Sequence, residues 1–297
     1  MDGMLIDRVR RFNREVTQRI GALDDHYLAR DRPLGESRVL WEIGEGGSDV
    51  RRLRTLLDLD SGYLSRLLRS LEAAGLVTVA PGGHDRRVRT ARLTAAGKVE
   101  RDLLDRRSDE LAWSLLDPLT PDQRDRLVAA MGDVSRLLTA ALVGIDAVDP
   151  DHPHADHCLT EYAAELDRRF AGGFDPARSL PLAADDLRPP AGVLLVAALR
   201  SEPVGCGALR FHGTAPALLK RMWVAPAARG LGVGRRLLRA LEERAAAAGC
   251  DTVHLDTNGA LTEAIALYRS SGYREVPAFN DEPYADHWFE RRLDGLL

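Results

Sequence analysis

Cysteine is scarce in this chain, and its scarcity removes several classes of function. Only Cys158, Cys206 and Cys250 occur in 297 residues. They lie far apart, without C-x-x-C or zinc-ligand spacing, so neither a disulfide framework nor a cysteine-bound metal is expected and the thiols are read as buried and reduced. Long apolar runs are missing too. No segment approaches the roughly 20 apolar residues of a membrane-spanning helix, and the N-terminus lacks an apolar signal core, so a cytoplasmic protein is expected. Nor does one sign of charge prevail: 41 Lys and Arg stand against 45 Asp and Glu, a formal net charge of −4. A chain so balanced has no global attraction to nucleic acid, and any DNA contact must come from a local patch. What remains, 45% hydrophobic and 29% charged residues, is globular in composition and long enough for two domains.

Apolar residues at Val9, Phe12, Val16, Ile20, Leu23 and Tyr27 alternate in steps of three and four, which predicts one face of a long helix ending near Arg30. Pro33 and Gly35 break it. A short helix follows over Ser37–Gly44, and Ser48 or Asp49 caps another over Val50–Leu57. Asp60-Ser61 caps a fourth, Gly62–Ala74, with Leu64, Leu67, Leu68 and Leu71 inward and Ser61, Tyr63, Ser65, Arg66 and Arg69 on other faces. Two short helices joined by a tight turn, the second bearing arginines and hydroxyls, suit a helix-turn-helix; a plain helical hairpin shows the same periodicity. The next segment weighs against the plain hairpin. Leu76–Val79 and Arg87–Leu93 read as strands around Pro81-Gly-Gly83, and Arg86, Arg87, Arg89 and Arg92 crowd this turn with Asp85 as the only acid. Such a basic hairpin is placed as a wing that reaches phosphates or the minor groove.

With these two motifs linked, residues 4 to 145 resemble the MarR family of winged-helix transcription regulators, through Leu59–Val77 and the wing Asp85–Arg87 with Arg92–Gly97. The resemblance implies a DNA-binding set of Ser61, Tyr63, Ser65, Arg66, Arg69, Arg86, Arg87 and Arg89, with Asp85 orienting Arg87. Asp58 stands where relatives usually show glycine. Two further amphipathic helices follow, one from Val99 to Leu116 and one opened by Thr120-Pro121 and running to Leu142. The resemblance makes these and the first helix a dimer interface, implying a homodimer on a palindromic double-stranded operator. The alternative is that the three apolar faces pack within one chain.

Asp146–His157 is polar, holds two prolines and reads as a linker at 147–157. Its histidines have metal-like spacing, but a flexible segment holds no geometry, and no metal site is expected. Beyond it come a helix over Leu159–Phe170, an apolar strand over Ala191–Leu199, a hairpin return over Val204–Arg210, and a strand over Leu218–Val224. That strand leads into Arg229-Gly-Leu-Gly-Val-Gly234, which opens a helix to Ala248; the strand Thr252–Thr257, a helix over Leu261–Ser271 and a last strand over Trp288–Leu293 complete the half. A glycine turn at a helix start offers unpaired N–H groups and a positive dipole end, so a phosphate is a natural occupant. The Gly-Lys-Ser/Thr of a P-loop is absent, because Arg235-Arg236 follow Gly234. An antiparallel hairpin before the glycine strand does not suit a doubly wound dinucleotide fold.

Arg229, Gly232 and Gly234, then Leu255–Asn258, then Ala264–Tyr273 occur in the order and spacing of the GNAT acetyltransferase superfamily, which residues 158 to 295 resemble. The resemblance implies acetyl-CoA as cofactor. Its pyrophosphate would be held by Arg229, Gly230, Leu231, Gly232, Val233, Gly234 and Arg235; the strand Met222, Trp223 and Val224 would pair with the pantetheine arm; Asn258 would bond the cofactor; and Tyr268 would protonate the departing thiolate. Many relatives carry a glutamate where this chain has Leu218 and Leu219. That departure leaves Asp256, Glu202, His212 and His254 as candidate bases, while Ala171–Leu187 and Val276–Asp286 are the loops expected to build the acceptor pocket.

The expected architecture is therefore multidomain, a mainly α winged helix-turn-helix domain at 1–146 followed after the linker by an α/β GNAT domain, a mixed sheet flanked by helices, at 158–297. The function it implies is a DNA-binding regulator joined to an acetyl-CoA-dependent N-acetyltransferase for an amine of a small molecule or protein. Two other readings stay open: a regulator whose second domain only senses acetyl-CoA or an effector, and an acetyltransferase for which the first half is a dimer scaffold.

Overall fold

The computed structural model describes residues 3–23, 26–81, 89–213 and 216–293. Among them no helix is long and apolar enough to cross a membrane. The chain divides into two compact units, Met1–Ala129 and Ala130–Leu297.

The first unit runs α1 (Gly3–Arg19), α2 (Leu34–Ile43), β1 (Ser48–Asp49), α3 (Val50–Leu57), α4 (Ser61–Ala73), β2 (Val77–Pro81), β3 (Arg89–Leu93), α5 (Ala95–Leu116) and the start of α6 (Pro121–Ala141). Short acceptors begin α3 and α4. Asp49 Oδ1 takes the Arg51 N–H at 2.6 Å and Asp60 Oδ1 the Tyr63 N–H at 2.8 Å, which satisfies donors the helix itself leaves open. Between α3 and α4, Asp58 adopts φ 51°. It takes the left-handed turn that glycine takes most easily, and aspartate is among the residues that tolerate it. Leu64, Leu67, Leu68 and Leu71 are all buried, as their spacing predicts, against Val39, Leu40, Ile43 and Leu53.

The first helix is shorter than its periodicity predicts. It stops at Arg19, Gly21 turns at φ 66°, and Tyr27–Ala29 forms only one 3-10 turn, so Ile20, Leu23 and Tyr27 do not continue its apolar face. Neither α1 nor α6 buries a single residue. Val9 is 59% exposed, Phe12 47%, Met131 49% and Leu137 72%, so these faces are not absorbed by packing within the chain. Strand β3 lies between β1 and β2, pairing antiparallel with β2 from Val77↔Leu93 to Pro81↔Arg89. Asp85, Arg86 and Arg87 lie outside the described residues, whereas Arg89 opens β3 and is exposed.

A close approach fixes α5 to this sheet. Thr94 caps the helix through the Gly97 N–H at 3.0 Å, and a Cβ on Gly97 would stand 2.0 Å from the Leu76 carbonyl oxygen. Backbone cannot yield as a side chain can. Gly97→Ala is expected to cost at least the 1–3 kcal/mol or so typical of overpacking, read as a lowered midpoint in urea with unchanged slope.

The second unit is built on one sheet in the order β4-β5-β6-β7-β8-β10-β9. Its elements are β4 (Val143–Ala147), α7 (Pro153–Arg169), β5 (Gly192–Leu199), β6 (Glu202–Arg210), β7 (Ala217–Val224), α8 (Val233–Ala247), β8 (Thr252–Thr257), α9 (Thr262–Ser270), β9 (Arg274–Val276) and β10 (His287–Arg292). The apolar run of β5 is explained by burial on both faces. Leu194 and Val196 pack with Ala155 and Cys158 of α7, while Val193, Leu195 and Ala197 pack with Leu237, Leu238 and Leu241 of α8.

The linker expected at 147–157 is replaced by ordered structure. Val143–Ala147 pairs with β5 from Val143↔Leu199 to Ala147↔Leu195, so the boundary expected at 146 falls inside a strand of the second unit. His152 caps α7 through the His154 N–H, and Asp149 accepts from Arg188 at 2.8 and 3.0 Å. The Arg188 bonds, together with the Asp151 N–H at 2.9 Å, lower the Asp149 carboxyl pKa to about 2.

Candidate functional site

Strands β7 and β8 begin as a parallel pair and then part. Their register holds only at Ala217↔Val253, Leu218↔His254 and Leu219↔Leu255, although β7 continues to Val224 and β8 to Thr257. The cause is a bulge. Cys206 pairs with Trp223 and Ala208 with Lys220, so Gly207 alone faces both Arg221 and Met222. Arg221 carries the turn at φ 57°, and Gly207 permits it, since a Cβ there would meet Leu241 at 2.7 Å and Met222 Sδ at 3.0 Å. The kink swings β7 away and leaves a wedge between the strands.

One side of the wedge is a cleft of about 510 Å³ running to the glycine turn. Met222, Trp223, Val224, Arg229, Gly230, Gly232, Val233, Gly234 and Arg235 all line it. Leu231 does not, because its side chain packs into the core of the second unit, and Asn258 lines the neighbouring cavity. Gly230 and Gly232 sit at φ 80° and 74°, where a side chain would be strained. Among the described residues, the N–H groups of Gly230, Gly232, Val233, Gly234 and Arg235 donate to no backbone carbonyl. They therefore form a set of donors at the positive end of α8, the chemistry a pyrophosphate needs. On β7 the Ala225 N–H bonds Val204 and the Trp223 row faces β6, so alternation turns the Val224 N–H into the wedge.

The wall opposite the turn comes from α7, a contribution with no motif in the sequence. Glu165, only 8% exposed, accepts from Trp223 Nε1 at 2.9 Å, from Arg229 Nη2 at 2.6 and 2.7 Å, and from Arg169 Nη1 at 3.2 Å. Arg169 continues to Glu263 at 2.6 Å and to the Ala260 carbonyl at 2.8 Å. Burial alone would raise the Glu165 pKa, but the Arg229 and Arg169 hydrogen bonds outweigh it and hold the carboxyl below its usual range. The Arg229 side chain is thus committed inward, leaving the backbone of its turn to face the cleft.

The other side of the wedge opens into a cavity of about 120 Å³. Tyr162, Leu166, Met222, Leu261 and Ala264 line cleft and cavity alike and join them. Both expected acceptor loops contribute, the first through Phe174 and Ser179–Leu182, the second through Glu282, Tyr284 and Ala285. Tyr268 lines this cavity and is 4% exposed. Burial, reinforced by Tyr162 and Asp256, raises its phenol pKa, so the hydroxyl keeps its proton. Asn258 is engaged at both ends of its amide, donating to the Tyr284 carbonyl at 2.8 Å and accepting the Ala260 N–H at 2.9 Å.

Of the candidate bases, only Asp256 lines the cavity. His254 stacks on Phe279 and bonds Glu290 at 3.1 Å, and neither His212 nor Glu202 lines it. Asp256 accepts from Lys220 Nζ at 2.7 and 2.9 Å and from Asn280 at 2.9 Å. Glu282, overlooked in the sequence, is buried beside them, with Lys220 Nζ at 3.6 Å and Ser179 Oγ at 2.9 and 3.0 Å. Two carboxylates and one ammonium therefore share the cavity that Leu218 and Leu219 also line.

In the first unit, Ser61, Arg66, Arg69 and Arg89 are exposed and Ser65 half-buried. Arg66 lies over the Tyr63 ring at 5.5 Å, while the Tyr63 hydroxyl would meet a Cβ on Gly35 at 2.9 Å. Tyr63 is thus shared between the outer face of α4 and the packing beneath it.

A mixed sheet with a bulged strand, a splayed neighbour and a free-amide turn defines an acetyltransferase-type fold. The sequence profile of the acetyltransferase (GNAT) family matches residues 159–273, and that of the MarR family residues 31–88. An IAA acetyltransferase of Azospirillum brasilense is 39% identical over 133 residues, 42% of this chain and 82% of that protein. The chain belongs to the GNAT acetyltransferase family and carries a MarR-family segment ahead of that domain. Among solved structures, a GNAT acetyltransferase of Staphylococcus aureus aligns with 51% of this chain and 99% of its own at 18% identity, TM-score 0.43. The FabT protein of Streptococcus pneumoniae, solved in complex with DNA, aligns with 45% of this chain and 96% of its own at 17% identity, TM-score 0.40.

Proposed function

We propose that the protein is an acetyl-CoA-dependent N-acetyltransferase for an amine, joined to a module that binds double-stranded DNA as a homodimer. The observation that carries the enzymatic reading is the wedge itself, with its free N–H groups at one end and a joined cavity holding Tyr268, Asp256 and Glu282 at the other. When bound, acetyl-CoA supplies the acetyl group as a thioester. The turn from Gly230 to Arg235 would hold the pyrophosphate, and the Val224 N–H would orient the pantetheine arm or the thioester oxygen. Tyr268 would give its proton to the departing sulfur. The amine must lose a proton as the C–N bond forms, and Asp256, with Glu282 and Lys220, is the group placed to accept it directly or through water. Calorimetric titration of acetyl-CoA and thiol release over an amine panel test this reading. Failure of acetyl-CoA to bind ends it.

The sensor reading is favoured by one observation, that Asp256 is held by Lys220 and Asn280. Micromolar acetyl-CoA binding without thiol release from any amine would establish it in place of catalysis.

For the DNA module the support is the exposed face of α4 with its arginines and the basic start of β3. The uncovered apolar faces of α1 and α6 support the homodimer, because exposed patches of this kind mark association surfaces. A two-fold dimer would read a palindrome. Arg66→Ala and Arg69→Ala are each expected to weaken binding to a site enriched from a randomised duplex pool, and to reduce the slope of log affinity against log salt by about 1 where a phosphate contact is lost. Gel shifts across a salt series decide it; unchanged slopes and affinities in both variants remove α4 from the interface.

A further inference from the structure

Arg221 holds a charge that the rest of the cavity leaves unanswered. The other cations lining it are paired: Arg210 lies 3.2 Å from Asp186, and Lys220 lies 2.7 Å from Asp256 and 3.6 Å from Glu282. Among the described residues the Arg221 guanidinium has no carboxylate within ion-pair distance and rests only over the Tyr162 ring, 5.8 Å from its centroid. It is also held in place. Its φ of 57° is a left-handed conformation that a long side chain avoids, and its carbonyl accepts from Cys206 Sγ at 3.2 Å, so the bulge aims the side chain at the cavity. It does not line the cleft at the glycine turn, which separates it from the donors suited to pyrophosphate.

The wall that continues from Tyr162 through Phe174 is apolar. Phe170, Phe174 and Tyr284 pack together with centroids 5.0 to 6.0 Å apart, and Leu180 and Leu182 complete it. The volume of about 120 Å³ is on the scale of cavities of roughly 150 Å³ that take up benzene. An unpaired guanidinium selects a planar oxyanion through a two-pronged hydrogen bond, and the Asp256 and Glu282 carboxylates that line the same cavity suit a cationic or proton-releasing nitrogen.

We infer that the acceptor is a small amino carboxylate: its carboxylate meets Arg221, its amine faces the Asp256 and Glu282 side, and an apolar substituent lies on the aromatic wall. The inference rests on the acetyl-transfer reading for its chemistry but not for its binding. Phenylalanine, phenylalaninamide and phenethylamine form a matched series that differs at the group Arg221 would contact. Compared at equal concentrations of neutral amine, phenylalanine should show a kcat/KM at least tenfold above the other two. Arg221→Met should remove that preference by raising the KM for phenylalanine about 10- to 100-fold, and Arg221→Lys should restore part of it, with folding of both variants checked by thermal melting.

Calorimetric binding of the same series to the protein saturated with coenzyme A separates the two readings. Preferential binding of phenylalanine without thiol release from any amine upholds the carboxylate site and overturns acetyl transfer. Thiol release with equal use of all three, or with the two analogues that lack a carboxylate preferred, upholds transfer and overturns the carboxylate site. Arg221→Met acting on acetyl-CoA affinity in place of acceptor preference also overturns it.

Discussion

Tyr268→Phe is expected to lower kcat by about 10²- to 10⁴-fold while the KM for acetyl-CoA changes little, the pattern of an interaction made only as the thiolate leaves. The substitution removes one oxygen and keeps the ring that packs near Tyr273 and Phe289, so the core of the second unit is retained. The hydroxyl can serve as an acid only while protonated. Burial supplies that condition first, and Tyr162 and Asp256 strengthen it by disfavouring a phenolate. Because the pKa is raised above its ordinary value near 10, wild-type kcat should show no alkaline decline attributable to this group up to that pH. Steady-state thiol release between pH 7 and roughly 10 measures both effects. An unchanged kcat in Tyr268→Phe removes the assignment.

Much of the site's frame could be seen before the structure because it depends on local chemistry. Gly230 and Gly232 occupy left-handed positions that a side chain resists, and such requirements are written in single residues. Asp49 and Asp60 cap the helices they precede for the same reason. What stayed hidden depends on partners distant in sequence. Glu165 has no motif of its own; its position matters because Trp223 and Arg229, 58 and 64 residues away, donate to it. Lys220, Arg221 and Glu282 likewise acquire meaning only once the bulge and the loop at 276–286 bring them to one cavity.

The misread linker has the same cause. Asp149 and Pro153 look like spacer residues until Arg188 pairs with the first and the second opens α7. Val143–Ala147 straddles the end of the helix read to Leu142 and the start of the polar run at Asp146, and only pairing with β5 identifies it as a strand. At the other end, the three-and-four spacing of Ile20, Leu23 and Tyr27 extended α1 too far. A single left-handed glycine, Gly21, outweighed that pattern.

Glu165→Ala is expected to combine a loss of stability with a loss of cofactor affinity. Arg229, Arg169 and the Trp223 indole N–H lose their acceptor together, and because the two arginines reach solvent, the cost is about 1–3 kcal/mol, that of the buried indole donor left unpaired. Glu165→Gln keeps an acceptor for the indole and should lose less. The sign with pH follows from the depressed carboxyl pKa: the folded state favours the carboxylate, so the contribution is present above the ordinary value near 4.5 and disappears as pH falls through the folded value. The stability gap between wild type and Glu165→Ala, measured by urea unfolding, should therefore be full at pH 7 and narrow below about pH 4.5. Arg229 would meanwhile be free to turn toward the cleft, and the turn it anchors would lose its fixed entry into α8. Acetyl-CoA affinity should fall even at low urea and low temperature, where the variant is folded. Stability lost with acetyl-CoA binding intact would make Glu165 a core residue and nothing more; the two lost together mean that α7 holds the pyrophosphate turn in its binding geometry.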